Sequence, residues 1–142
     1  ASLRAAEKRI AAFGARALGD RAPALAASAT VIGAYRVVAD SLGTASSADD
    51  VRTVALGVRD RLGADAAVIA LGAEVSGRPV VIVATNEAAR AAGAKAGVLA
   101  KLAAGVLGGG GGGRDDVAQG GGADATLLPA ALVAVKDALA SA

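Results

Sequence analysis

The residues best suited to chemistry lie between Leu107 and Asp124. Glycine runs at 108–113 and 120–122 flank the polar cassette Arg114-Asp115-Asp116-Val117-Ala118-Gln119. Nine glycines in so short a span burden a compact fold, because glycine loses more conformational freedom on folding than any other residue. Two readings compete: a flexible linker, or a backbone surface whose bare N–H groups come close to a ligand. The cassette favours the second. Arg114 offers a planar fork that matches phosphate or a base edge, and Gln119 and Asp116 suit a base or ribose. The alternatives are an Arg114–Asp116 salt bridge that fixes the loop and a Gln119 that only satisfies loop backbone. Asp115 and Asp116 are adjacent carboxylates, more often solvated or capping than magnesium ligands. Lys95 and Lys101, on the segment leading into the loop, are its nearest cations in sequence.

Several chemistries are excluded by what is missing. Arg114-Asp115 stands where a Walker A loop needs Lys-Ser/Thr, and the glycines follow a helical pattern where a Rossmann fingerprint follows a strand. The chain has neither cysteine nor histidine, which removes disulfides, the usual zinc sets and Ser-His-Asp catalysis. No catalytic residue and no metal ligand is therefore assigned. A formal net charge of +2 is too mild for the overall field to argue nucleic-acid binding, so any basic patch must be local. Phe13 and Tyr35 are the only aromatics, which disfavours single-strand binding on stacked rings; if the partner is a nucleic acid, recognition must go by shape and backbone, a mode that suits a folded RNA. No apolar run approaches a membrane span, and Arg4, Glu7, Lys8 and Arg9 interrupt any signal-peptide pattern. A cytoplasmic protein without a membrane partner is expected.

The elements that must position this cassette follow from periodicity. Residues 1 to about 21 read as a helix whose Leu3, Ala6, Ile10, Phe13 and Ala17 form an a/d seam, as at the end of a longer helical or coiled-coil segment. Packing on its own domain is the competing use of that stripe. Gly19-Asp20 and Pro23 end or kink it. Thr30 to Ala39 is rich in β-branched residues and reads as a strand, with Asp40-Ser41-Leu42-Gly43 as a turn. Ser47 or Asp49 caps a helix through Leu62, with Val51, Val54, Ala55, Val58 and Leu62 inward and Arg52, Arg59, Asp60 and Arg61 outward. Ala66–Ala73 and Arg78–Ala84 read as covered strands joined in a hairpin. Asn86 caps the next segment. Lys95 to Leu107 is helical, with Val98, Leu102 and Val106, and Leu99 beside them, facing inward. Asp124 or Thr126 starts the last helix, which tolerates Pro129 in its first turn and buries Leu128, Leu132, Val135 and Leu139. The expected fold is α/β, a mixed β-sheet packed with helices. It divides into a helical dimerisation or linker segment at 1–24 and a globular domain at 25–142 that carries the Gly-rich loop 108–122.

The run Gly111-Gly112-Gly113-Arg114-Asp115-Asp116-Val117-Ala118-Gln119-Gly120-Gly121, followed by Asp124 and Leu127-Leu128-Pro129-Ala130-Ala131-Leu132, resembles the C-terminal end of bacterial alanyl-tRNA synthetases. There the loop typically runs Gly-Gly-Gly-Arg-Pro-Asp-Met-Ala-Gln, and a helix with Leu-Pro-Ala-Ala-Leu follows. A related domain accompanies DHH-type phosphoesterases, whose version usually has histidine soon after its glycines. The alternative is thus a substrate-binding accessory domain of such a phosphoesterase or nuclease. The resemblance implies a non-catalytic terminal piece of an ATP-dependent ligase, with ATP and zinc belonging to other parts of the parent. Its implied partners are tRNA, gripped at the elbow where D and T loops meet, and the parent's catalytic and editing domains, whose activities it helps to couple. The family also implies a homodimer through the N-terminal helix, which agrees with the seam at Leu3, Ala6, Ile10 and Phe13. The tRNA-binding residues expected are Gly111, Gly112, Gly113, Arg114, Asp116 and Gln119, with Lys95 and Lys101 added for proximity. Asp115 replaces the usual proline, Val117 the usual methionine, and Gly110 stands where relatives often carry lysine.

Overall fold

The structure, a computed structural model, describes residues 22–140. The expected helix with its seam at Leu3, Ala6, Ile10 and Phe13 lies outside the described residues. The elements are α1 (Ala22–Ala27), β1 (Thr30–Ile32), β2 (Tyr35–Thr44), α2 (Ala48–Arg61), β3 (Ala67–Val75), β4 (Arg78–Thr85), α3 (Glu87–Ala91), α4 (Ala96–Leu107), β5 (Gly111–Gly113), β6 (Val117–Gly121) and, after a 3-10 turn at Ala125–Leu127, α5 (Leu128–Ala140). Pro23 sits in the first turn of α1, where its missing N–H has no intrahelical partner to lose.

Six strands form one sheet in the order β1-β2-β3-β4-β6-β5. Only the β2–β3 pair is parallel, with α2 as its crossover. The apolar runs of β3 and β4 are continuous because both faces are covered. On one face α1 and α2 pack Leu25, Val51, Val54 and Val58 over Val38, Ile69, Leu71 and Ile82. On the other, α4 and α5 pack Leu99, Ala103, Leu107, Leu128, Leu132 and Val135 over Val37, Val68, Val81 and Val83. The inward residues expected for α2 and α5 are all buried.

The stretch 30–44 differs from its expected single strand. Gly33, at φ +61°, makes a two-residue turn between Ile32 and Tyr35, and β2 continues to Thr44 through the segment expected to turn. β1 ends opposite Val37, and among the described residues no further strand pairs with that edge of β2. There Asp40 accepts from the Ser41 N–H and Ser41 Oγ from the Gly43 N–H, so the polar residues satisfy the edge and leave the strand intact. The β3–β4 hairpin matches expectation. Ser76 and Gly77 are both at positive φ, as a tight hairpin turn requires.

The inward face of α4 is a correction. Leu99 is buried as expected and Val106 is half-buried against the core, but Val98 is 64% and Leu102 41% exposed, and Ala96, Ala100, Ala103, Ala104 and Leu107 are buried instead. Ala100 and Ala104 face the hairpin, where the helix backbone lies too close to Gly111 and Gly120 for larger side chains, while Leu99 and Leu107 fill the core beside them.

Candidate nucleic-acid interface

The expected glycine loop is a β-hairpin. Gly111–Gly113 pairs antiparallel with Val117–Gly121, and β6 also pairs with β4, so both glycine runs are built into the sheet. Glycine has poor strand propensity, which is why composition alone reads this segment as a loop. Tertiary packing supplies the reason for the residue type. A Cβ on Gly111 or Gly120 would collide with the Ala100 carbonyl of α4, and one on Gly97 would sit 2.9 Å from the Gly113 carbonyl. Helix and hairpin thus meet backbone to backbone.

Register separates two faces. Gly111, Gly120 and Val81 point toward α4, while Gly112, Gln119 and Ile82 point to the α2 side. Nothing lies within 4 Å of a Cβ built on Gly110 or Gly112, so packing does not explain those two glycines. Register also fixes which amides are free. The Arg114 N–H donates to the Val117 carbonyl and Gly121 N–H to the Gly110 carbonyl. Gly112 therefore belongs to a hydrogen-bonded pair with Gln119, and the N–H groups of Gly111 and Gly113 point outward from the edge strand.

The hairpin tip is pinned. Thr85, completely buried at the end of β4, donates its hydroxyl to the Asp115 carbonyl at 2.6 Å and its N–H to the Asp116 carbonyl at 2.8 Å. The Ala96 N–H at the start of α4 also donates to the Asp115 carbonyl. Asp116 Oδ1 accepts from Val117 N–H, so this carboxylate shapes the turn. Arg114 is exposed on that fixed tip and is in neither ion pair of the described residues, Arg36–Asp65 and Arg59–Asp60. The Arg114–Asp116 bridge considered from sequence does not form.

On the α2 side the tip borders a groove of about 260 Å³ lined by Gly112, Arg114, Val117, Gln119, Ile82 and, across from them, Arg52. Arg52 is exposed and without an ion pair among the described residues. Read from sequence as a solvating charge of a helix face, it shares a groove with Arg114; no local pattern could show this, because the two meet only through the sheet. A wider cleft of about 760 Å³ lies at the hairpin's other end, between Ser76-Gly77-Arg78 and Gly108–Gly110 with Gly121 and Gly122. Lys95 immediately precedes α4, beside the Asp115 anchor, and Lys101 is exposed on α4, in the layer opposite the Arg52 groove. Asp124 caps the 3-10 turn by accepting from Thr126 N–H and Oγ1. These bonds, the hydroxyl's first, hold its carboxyl below the usual carboxylate range. Among the described residues there is no group of three side chains able to hold a metal ion, and no helix is long and apolar enough to cross a membrane.

A mixed six-stranded sheet with helices on both faces and a glycine hairpin closing one edge defines a small α/β domain. The chain belongs to the DHHA1 domain family, which it matches over residues 34–141. It is 63% identical over 139 residues to an alanine–tRNA ligase of Leifsonia xyli subsp. xyli and 55% identical over 140 residues to one of Clavibacter michiganensis subsp. michiganensis. These alignments cover 98% and 99% of this chain but 16% of each relative, so the chain spans about a sixth of their length. Its fold is similar to that of the C-Ala domain from Aquifex aeolicus alanyl-tRNA synthetase, with a TM-score of 0.68 at 22% identity over 80% of this chain and 98% of that one.

Proposed function

We propose that this chain is the non-catalytic, tRNA-binding C-terminal part of an alanine–tRNA ligase that works in the cytoplasm. It docks on the elbow of folded tRNA and helps couple aminoacylation with editing in the parent. The observation that carries the reading is Arg114, a guanidinium in no ion pair among the described residues, held out on a hairpin tip anchored by Thr85, next to the outward amides of Gly111 and Gly113. Such a site offers phosphate a bidentate cation and backbone donors on a rigid frame, with little ordering cost on binding. Gln119 and Lys95 flank it, and the Asp116 carboxylate acts through the shape of the turn. The alanine–tRNA ligase relatives support the parent's identity. A homodimer through Leu3, Ala6, Ile10 and Phe13 is a second part of the proposal.

Fluorescence anisotropy of labelled tRNA titrated with the chain tests it, beside an RNA whose D-loop/T-loop contact is disrupted and a short single strand. Preference for the intact elbow, lost in Arg114→Glu, is expected. Equal or tighter binding of the single strand would replace this reading with a phosphoesterase-type accessory domain. Sedimentation at several concentrations tests the dimer, and a strict monomer would remove it.

A further inference from the structure

The two clefts beside the hairpin share a strip of the sheet's α2 face, the wider one also reaching round the sheet's end to Gly108 and Gly109 after α4. Val80 pairs with Gly121 and Ile82 with Gln119, so these four residues share the α2 side. Arg78 has the parity of Val80 and Ile82, and Gly110 bonds across to Gly121. One surface therefore runs from Arg78, past Gly121 and Gly110, past Gln119 and Gly112, to Arg114, with Arg52 standing over it from α2. α2 packs on β3 and β4, while Gly112 and Gln119 stay exposed, so this strip of β6 and β5 is uncovered. Its three arginines are exposed, and none is in an ion pair of the described residues. In register Arg78 lies opposite position 123, six residues beyond Val117, which at ~3.4 Å per residue is about 20 Å. That is long enough to follow several nucleotides. The middle of the strip has no side chain at Gly110 and Gly112, where a Cβ would meet nothing.

We propose that an RNA strand lies lengthwise along this α2-side strip, its phosphates held by Arg78 at one end and by Arg52 and Arg114 at the other. The proposal rests on the RNA-binding reading above and adds the face, the direction and two residues, Arg52 and Arg78. Lys101, exposed on α4 in the opposite layer, stands outside the contact.

The test is tRNA anisotropy across a salt series with Arg52→Gln, Arg78→Gln, Lys101→Gln and, as a control on the same helix as Arg52, Arg61→Gln. Arg52→Gln and Arg78→Gln are each expected to weaken binding roughly fivefold and to lower the log–log salt slope by about one, the mark of one lost phosphate contact. Arg52→Lys, keeping the charge, should recover most of the affinity. Lys101→Gln and Arg61→Gln should bind as the parent chain does. Loss in Lys101→Gln and Arg114→Glu with none in Arg52→Gln and Arg78→Gln would overturn the face assignment and leave RNA binding standing. A parent chain that binds no RNA would overturn both. A thermal melt of each variant separates binding loss from unfolding.

Discussion

The two faces of the β5–β6 hairpin use the same residue type for opposite reasons. Toward α4, Gly111 and Gly120 are glycine because the helix backbone occupies the space of a side chain. Toward α2, Gly110 and Gly112 look into open space; Gly112 is held at φ +157°, a backbone that favours glycine, but nothing in the domain demands that Gly110 be small. A closed face is a packing solution, and an open one leaves room for something outside the chain. A glycine-rich composition thus holds two signals that only register can separate.

The largest effect should come from violating the closed face. Gly120→Ala puts a methyl group 2.5 Å from the Ala100 carbonyl, whose helix cannot yield cheaply. A loss of about 3 kcal/mol in urea denaturation is expected, with a fall in Tm of roughly 10 °C. Arg114→Glu should do the reverse, leaving the melt unchanged and weakening tRNA binding at least about tenfold, equivalent to about 1.4 kcal/mol. Thr85→Val tests the pin that holds the two faces in place. It should lower stability by about 1 kcal/mol, because Ala96 still donates to the Asp115 carbonyl, and should speed amide exchange at the tip. The smallest change is Gly110→Ala, with stability within about 0.5 kcal/mol of the parent chain and some tRNA affinity lost. A large destabilisation there would erase the distinction between the faces.

Asp124 lies on neither face and calibrates acid titrations. Its carboxyl is held below the ordinary value, so the stability it adds is complete above the unfolded carboxylate range. It is lost as pH falls through the lowered folded value. Asp124→Ala should therefore match the parent chain in strong acid, fall behind it as pH rises toward about 4, and show the full gap above that. A constant gap across that range would refute the cap's role.

Much of this frame was legible in the chain. The caps at Ser47 and Asn86, the Ser76-Gly77 hairpin and the inward stripes of α2 and α5 follow from local periodicity and capping chemistry. What escaped has a common cause. The extension of β2 to Thr44, the strand character of the glycines and the alanine-lined side of α4 all depend on a neighbour distant in sequence. Size patterns at Val98 and Leu102 pointed inward because large apolar residues usually do, yet where α4 meets the hairpin's backbone, at Ala100 and Ala104, only small ones fit. Arg114 stood out by its flanking glycines, while Arg52 and Arg78 carried no local mark. Only the sheet brings them to one strip.

The outward N–H groups of Gly111 and Gly113 give the domain a kind of heritable insurance. A contact made by main chain persists through every side-chain change except proline, so lineages can drift in this segment without losing those donors. What drift cannot do is add bulk at Gly111, where the helix behind it would be displaced, or at Gly113, where a side chain would meet the Ala118 backbone. Selection at those positions thus guards the fold and keeps the outward amides only as a by-product. An alanine scan would record Gly111 as essential and still miss what its amide does; replacing the single amide by an ester would reveal it.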